Sequence, residues 1–227
     1  MSEAKFSLVL TVLLVVVIVA IIGLGGYMGI SFYRDYKKSK EAGLSVNSFI
    51  EEAENEPNKK IETNEAGNIA DYVNEIELDN TTESSTGKSK WTYKGFNVIG
   101  VIEIPKTKVK YFVLEDPPTV KSLEVSVVAL YPKHAELNKI GNVVIVGHNY
   151  RNGLFFSNNK NLANGDKIYI TDLNKNKVTY TIYNIFQANQ NDVSFYNRDT
   201  NGKMEITLSS CTDAGDDQRI IIEARAE

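Results

Sequence analysis

One cysteine, Cys211, stands among 227 residues. A thiol attacks a carbonyl once it has become thiolate, and a neighbouring imidazole can take or share that proton. The chain offers two histidines for this. His148 follows Val143-Val144-Ile145-Val146-Gly147, where a buried strand would emerge into a loop. Cys211 closes a second such run, Met204–Ser210, and Arg219 opens the run after it. A guanidinium stays protonated, so Arg219 cannot be the base, but it can hold a carbonyl or stabilise an oxyanion. At ordinary pKa values only about a few per cent of an isolated thiol is ionised at pH 7. Each residue alone also has a plain role: a lone cysteine is commonly a small buried hydrophobe, and a loop histidine or a strand-start arginine is commonly solvated. His134 reads as a surface loop residue. Asp213, Asp216 and Asp217 read as a solvated turn beside Cys211, or as charges that tune it.

Composition narrows the chemistry. A net charge of −4 opposes nucleic-acid binding, which favours a basic excess. One thiol cannot form an intrachain disulfide or a cysteine-cluster zinc site. No metal or cofactor is expected; Glu136 and Asp192 are too few for a calcium ion that takes about 6–8 oxygens.

The elements that must hold these groups are segregated along the chain. Residues 6–33 form an uncharged, largely apolar run of 28 positions, longer than the roughly 20 residues that span a bilayer. Residues 1–33 therefore read as a membrane anchor that contacts lipid through 6–33. Lys5 stands before the run, and Arg34, Lys37, Lys38 and Lys40 follow it. By charge alone the positive-inside rule would put the C-terminal bulk in the cytoplasm, whereas a very short tail before a first apolar segment fits a signal-anchor. Residues 34–90 carry 13 acidic and 8 basic side chains and read as a polar acidic spacer, with a helix around 67–78 and a linker over 79–90. Residues 91–227 hold eight runs rich in Val, Ile, Tyr and Phe: 96–104, 108–115, 123–130, 142–148, 167–172, 177–186, 203–211 and 219–226. Short strands at this spacing predict an all-β barrel or sandwich. Only 154–162 could supply a helix of any length.

Three motifs in order resemble a known family. TLSSC at 207–211 with Arg219 in RIIIEA resembles the TLxTC…R signature of sortases. GNVVIVGHN at 141–149 resembles their histidine strand, and VIGVIEIPKTKV at 98–109 their first strand pair. The resemblance implies a closed eight-stranded β-barrel with short helices, outside the cell and tethered by one transmembrane helix to a Gram-positive membrane. It implies a cysteine transpeptidase that cleaves a C-terminal LPxTG-like sorting motif and passes the acyl group to an amine. Surface proteins bearing that signal would be the substrates, and a peptidoglycan precursor or a pilin would supply the amine. Cys211 would be the nucleophile, His148 the proton carrier and Arg219 the oxyanion partner. Thr207, Leu208, Ser209, Ser210 and Asn149 would contact substrate. Ser210 departs from the family's usual threonine and keeps its hydroxyl. Asp116-Pro117 falls after the second strand, which favours an anchoring enzyme over a pilin-polymerising one; a catalytically silent peptide-binding barrel is the remaining alternative.

Overall fold

The computed structural model describes residues 3–55 and 91–227. A helix, α1 (Glu3–Asn55), is followed by β1 (Thr92–Tyr93), β2 (Phe96–Ile104), β3 (Val109–Leu114), α2 (Val120–Val125) and β4 (Val127–Tyr131). Then come β5 (Gly141–Val146), β6 (Lys167–Asp172), β7 (Lys177–Asn189), β8 (Met204–Cys211) and β9 (Gln218–Ala226). The sheet order is β1-β2-β3-β4-β5-β8-β9-β7-β6, and β6 pairs back onto β2. The strands from β2 to β9 thus close into the expected eight-stranded barrel, with β1 as a short addition along β2.

Alternation builds this barrel. Along β5, Val143 and Ile145 enter the interior core with Ile206 and Leu208 of β8 and Ile222 and Ala224 of β9. The residues between them face outward, because successive side chains on a strand point to opposite faces. Unusually, this outer face is also apolar in two places. One patch gathers Val98, Val101, Phe112, Leu114 and Val128; the other gathers Val144, Ala188 and Ile221, with Phe195 of the loop 190–203 packed on them. Each patch is covered by a segment outside the barrel.

The first cover is α1. The helix runs straight past the expected boundary at residue 33 and docks through Ala42, Val46 and Phe49, all buried. Those positions share one helix face by their spacing of four and three. The Phe49 ring meets Trp91 edge-on at 4.9 Å and Phe112 at 5.7 Å. Lys175 Nζ lies 3.2 Å from the Phe49 ring centre and donates to the Phe49 carbonyl at 2.6 Å. Upstream, Leu10–Arg34 is a 25-residue stretch of mean hydropathy 2.7 with none of it buried, long and apolar enough to cross a membrane. The expected helix at 67–78 and linker at 79–90 lie outside the described residues.

Two local expectations give way. The run 123–130 is not one strand: its first part is helical, and β4 begins at Val127. A capping box starts α2, with Thr119 Oγ1 accepting from the Ser122 amide at 3.1 Å and the Thr119 amide donating to Ser122 Oγ at 2.8 Å. Such reciprocal bonds satisfy the first-turn amides and set a helix start despite the Val-rich sequence. Residues 154–162 form a tight loop with one 3-10 turn, Asn159–Asn161, because Leu154, Phe155 and Phe156 are drawn into the barrel core.

Replacing Phe49 by alanine removes the ring that joins α1 to the barrel, a change that typically costs about 3–5 kcal/mol in a packed site. We expect the amides of residues 42–50 to lose hydrogen-exchange protection while β5, β8 and β9 keep theirs.

Candidate active site

Two strand pairings meet at one rim of the barrel. β5 and β8 run parallel with Val146 opposite Ser209, and the Gly147 amide still donates to the Ser209 carbonyl at 3.2 Å. Two residues further along each chain stand His148 and Cys211. β9 runs antiparallel to β8 with Arg219 directly opposite Cys211. The three residues singled out by type therefore arrive at the same level of three neighbouring strands. Gly147 makes the turn possible: a Cβ there would sit 2.8 Å from the Phe156 ring and 2.9 Å from Val127 Cγ1. Any side chain there would force Phe156, Val127 or the backbone to shift.

Arg219 Nη1 donates to Cys211 Sγ at 2.9 Å and to the Asp216 carbonyl at 2.6 Å. The His148 ring is stacked on Tyr150 at 4.7 Å. A clamp ties the two rim loops together. Asn149 Nδ2 donates to the Cys211 carbonyl at 3.0 Å and to Asp213 Oδ1 at 2.9 Å, and Asp213 is in turn paired with Lys160. Asn149 thus fixes the histidine loop onto the cysteine backbone.

The electrostatics leave both groups neutral near pH 7. Burial pushes the Cys211 thiol above its ordinary value; Arg219 pulls it down, and Asp216 pushes it up again through charge and a hydrogen bond. Burial pulls the His148 imidazole below its ordinary value, against the charges of Glu124 and Asp216. Of the three acidic residues in the turn, Asp216 thus acts on the thiol and Asp213 on the clamp. Asp213 is held below the usual carboxylate range, first by Lys160 and then by Asn149. Thiolate is a minor form here, so rapid thiol chemistry at neutral pH needs the substrate or the imidazole to draw the proton.

Four residues expected to touch substrate are buried. Leu208 and Ser210 point inward, Leu208 within the interior core. Thr207 is covered on the outer face, where its hydroxyl donates to Asn142 Oδ1 at 2.8 Å. Ser209 lies on the outer face too, the next outward-facing residue below Cys211 and opposite Ile221. The TLSSC run is thus a packed strand that brings its last residue, Cys211, to the rim. Below Cys211 and Arg219, the outer face is apolar around Val144, Ala188 and Ile221, walled by Phe195 and Tyr196 of the loop 190–203. No short motif marked those two aromatics. Away from the rim, Glu115, Asp116 and His134 bring three ligand atoms within 4.8 Å. They are engaged with one another: the His134 amide donates to Asp116 Oδ1 at 2.6 Å, and its ring Nδ1 lies 3.3 Å from Glu115.

Comparison with known proteins agrees with this arrangement. Residues 102–227 match the family model of the Sortase domain. Sortase A of Bacillus anthracis is 32% identical over 128 residues, covering 56% of this chain and 58% of that protein's length. The match thus spans little more than half of that relative. Among solved structures, the Clostridium perfringens Sortase D5 transpeptidase superposes with a TM-score of 0.51 at 30% identity, over 58% of this chain and 79% of that one. A lid mutant of Corynebacterium diphtheriae Sortase A gives 0.52 at 26% identity, over 58% and 71%.

The opposed pulls on Cys211 predict opposite mutant effects. Arg219→Met raises the thiol pKa and slows alkylation at pH 8 several-fold, whereas Asp216→Asn lowers it and speeds alkylation. Rates of iodoacetamide labelling against pH, read on this single thiol, check both signs.

Proposed function

The chain belongs to the sortase family, and on that premise we propose that it is a membrane-anchored cysteine transpeptidase. Its substrate is a surface protein with an LPxTG-like sorting motif, and its acceptor is an amine of the cell wall. The observation that carries the reading is the contact of Arg219 Nη1 with Cys211 Sγ, at 2.9 Å, on strands in register with the one that delivers His148.

Cys211 Sγ attacks the threonine carbonyl carbon of the motif, and a C–S bond forms. The carbonyl oxygen gains charge in that step, and the Arg219 guanidinium is the fixed cation beside it. As the C–N bond to glycine breaks, the leaving amine needs a proton, and imidazolium at His148 gives it. The products are a thioester and a free glycine amine. In the second half an incoming amine attacks the thioester, its proton passes to His148, and the thiolate leaves. The peptide bond lost in the first half is regained in the second, so no external energy source is needed.

Because burial raises the thiol and lowers the imidazole, the form with Cys211 ionised and His148 protonated is scarce but present across the neutral range. Below the imidazole pKa its thiolate is lost; above the thiol pKa its imidazolium is lost. The pH profile of kcat/KM is therefore bell-shaped with both limbs set by this pair. With α1 crossing the bilayer over Leu10–Arg34, the barrel stands on the outer side, where sorting signals and wall amines are found.

The test uses the full chain in detergent micelles, a set of LPxTG-like peptides and added amines, read by mass spectrometry. We expect a thioester and an amine-linked product that disappear in Cys211→Ala, and a loss of about 10²–10⁴ in rate in His148→Ala. No product from any peptide would return the barrel to a silent, peptide-binding role.

A further inference from the structure

The loop 190–203 carries an arginine that the proposed reaction does not use. Arg198 is largely enclosed, its side chain 17% exposed, and it reaches down onto the outer face two pairs below Cys211. Its Nη1 pairs closely with Glu205, a carboxylate with no exposed surface, and its Nε lies 3.1 Å from Glu223. Its Nη2 donates to Asn142 Oδ1 and to Thr207 Oγ1, both at 3.1 Å. Arg225 Nε completes the charge balance from below, 2.6 Å from Glu205. One guanidinium thus engages β5, β8 and β9 at once.

Asn142 passes this grip to the loop. While its Oδ1 accepts from Arg198, its Nδ2 donates to the carbonyls of Phe195 at 3.0 Å and Tyr196 at 2.9 Å. Those are the two aromatics that wall the apolar strip. Phe195 is buried against Val144, Ala188 and Ile221, and its ring meets Tyr196 at 4.9 Å. Tyr196 is near enough to Arg219 for that charge to oppose the effect of burial on its phenol. The outer face is thus layered: thiol and Arg219 at the rim, the aromatic-walled strip next, and the Arg198 network beneath.

We propose that Arg198 is a positioning residue that holds the Phe195–Tyr196 wall beside Cys211 and so sets the preference for an apolar group in the ligand segment lying there. The proposal deepens the transpeptidase reading and rests on it for the identity of that ligand, an extended peptide with an apolar side chain near its scissile bond. The wall itself is a property of the thiol's surroundings and can be probed without any peptide. A loop on a buried ion network is held in one place because moving Arg198 away would leave Glu205 with Arg225 alone and take the paired guanidinium from Glu223, which is costly in low dielectric.

The experiment compares wild type, Arg198→Met and Asn142→Ala as full chains in detergent. Asn142→Ala keeps every charge pair; it removes the clasp on the loop carbonyls together with the acceptor for Arg198 Nη2 and Thr207 Oγ1, so it carries the test if Arg198→Met folds poorly. Cys211 being the sole thiol, its modification rates by benzyl and methyl methanethiosulfonate report the wall directly. We expect the benzyl-to-methyl ratio to fall about tenfold in both variants, the scale on which a hydrophobic pocket discriminates a small apolar group, while the methyl rate stays near wild type. Amides of residues 190–203 should lose exchange protection while β8 and β9 keep theirs, and the preference among LPxTG-like peptides varied at the leucine should flatten in the same variants. An unchanged reagent ratio, equal changes with both reagents, or an unaltered loop overturns the proposal. A wild type that acylates with no peptide, yet shows the expected reagent ratios, retires the transpeptidase reading and keeps the wall.

Discussion

The register of β5, β8 and β9 is the constraint on which the rest depends. Parallel pairing of β5 with β8 carries two chains to the rim in step, and antiparallel β9 brings a third from the opposite direction. A slip of one residue on any of them would turn its side chains to the other face. Cys211 would then point into the core, or Arg219 away from the thiol. Register is secured by the interior: Val143 and Ile145, Ile206 and Leu208, Ile222 and Ala224 fit the barrel only in this phase. The hydrophobic core therefore does more than stabilise the barrel, since it also brings Cys211, Arg219 and the segment leading to His148 to one rim.

The same alternation explains why the outer face could not be left bare. Residues between the core positions include Val128, Val144 and Ile221, all fully buried, so water is kept from both sides of the sheet. The helix α1 does this on one flank and the loop 190–203 on the other. The loop covers its patch with few apolar residues of its own, and a network of Arg198, Asn142, Glu205 and Glu223 holds it there. An all-apolar replacement of that network could be as stable. Its directional bonds, though, fix a loop position, which a greasy contact would leave free to slide.

The barrel was legible in the sequence because alternation and β-branched runs are local signals, and seven of the eight expected runs match strands closely. The run at 123–130 misled because its Val-rich composition outweighed a two-hydroxyl capping box at Thr119 and Ser122, a signal carried by two small polar residues. Cys211, His148 and Arg219 stood out because each closes or opens a strand, and the family motif joined them. Thr207, Leu208 and Ser210 were expected at substrate through that motif; they are buried in the strand, and burial is decided by the pairing of β8 with its neighbours, which a five-residue motif does not carry. Arg198 and Asn142 could not be found this way. They meet across 56 residues of chain, and only the folded topology puts a loop arginine over two strand glutamates.

The helix adds a consequence that follows from geometry alone. The docked residues Ala42–Phe49 begin eight positions after Arg34, the end of the apolar span, and a helix rises about 1.5 Å per residue. The barrel is therefore attached within roughly 12 Å of that end, by a rigid element and not by a flexible tether. A flexible spacer would let the barrel sample every orientation. A continuous helix with Phe49 set between Trp91 and Phe112 limits that freedom, so the docking of α1 decides where the barrel sits along the helix.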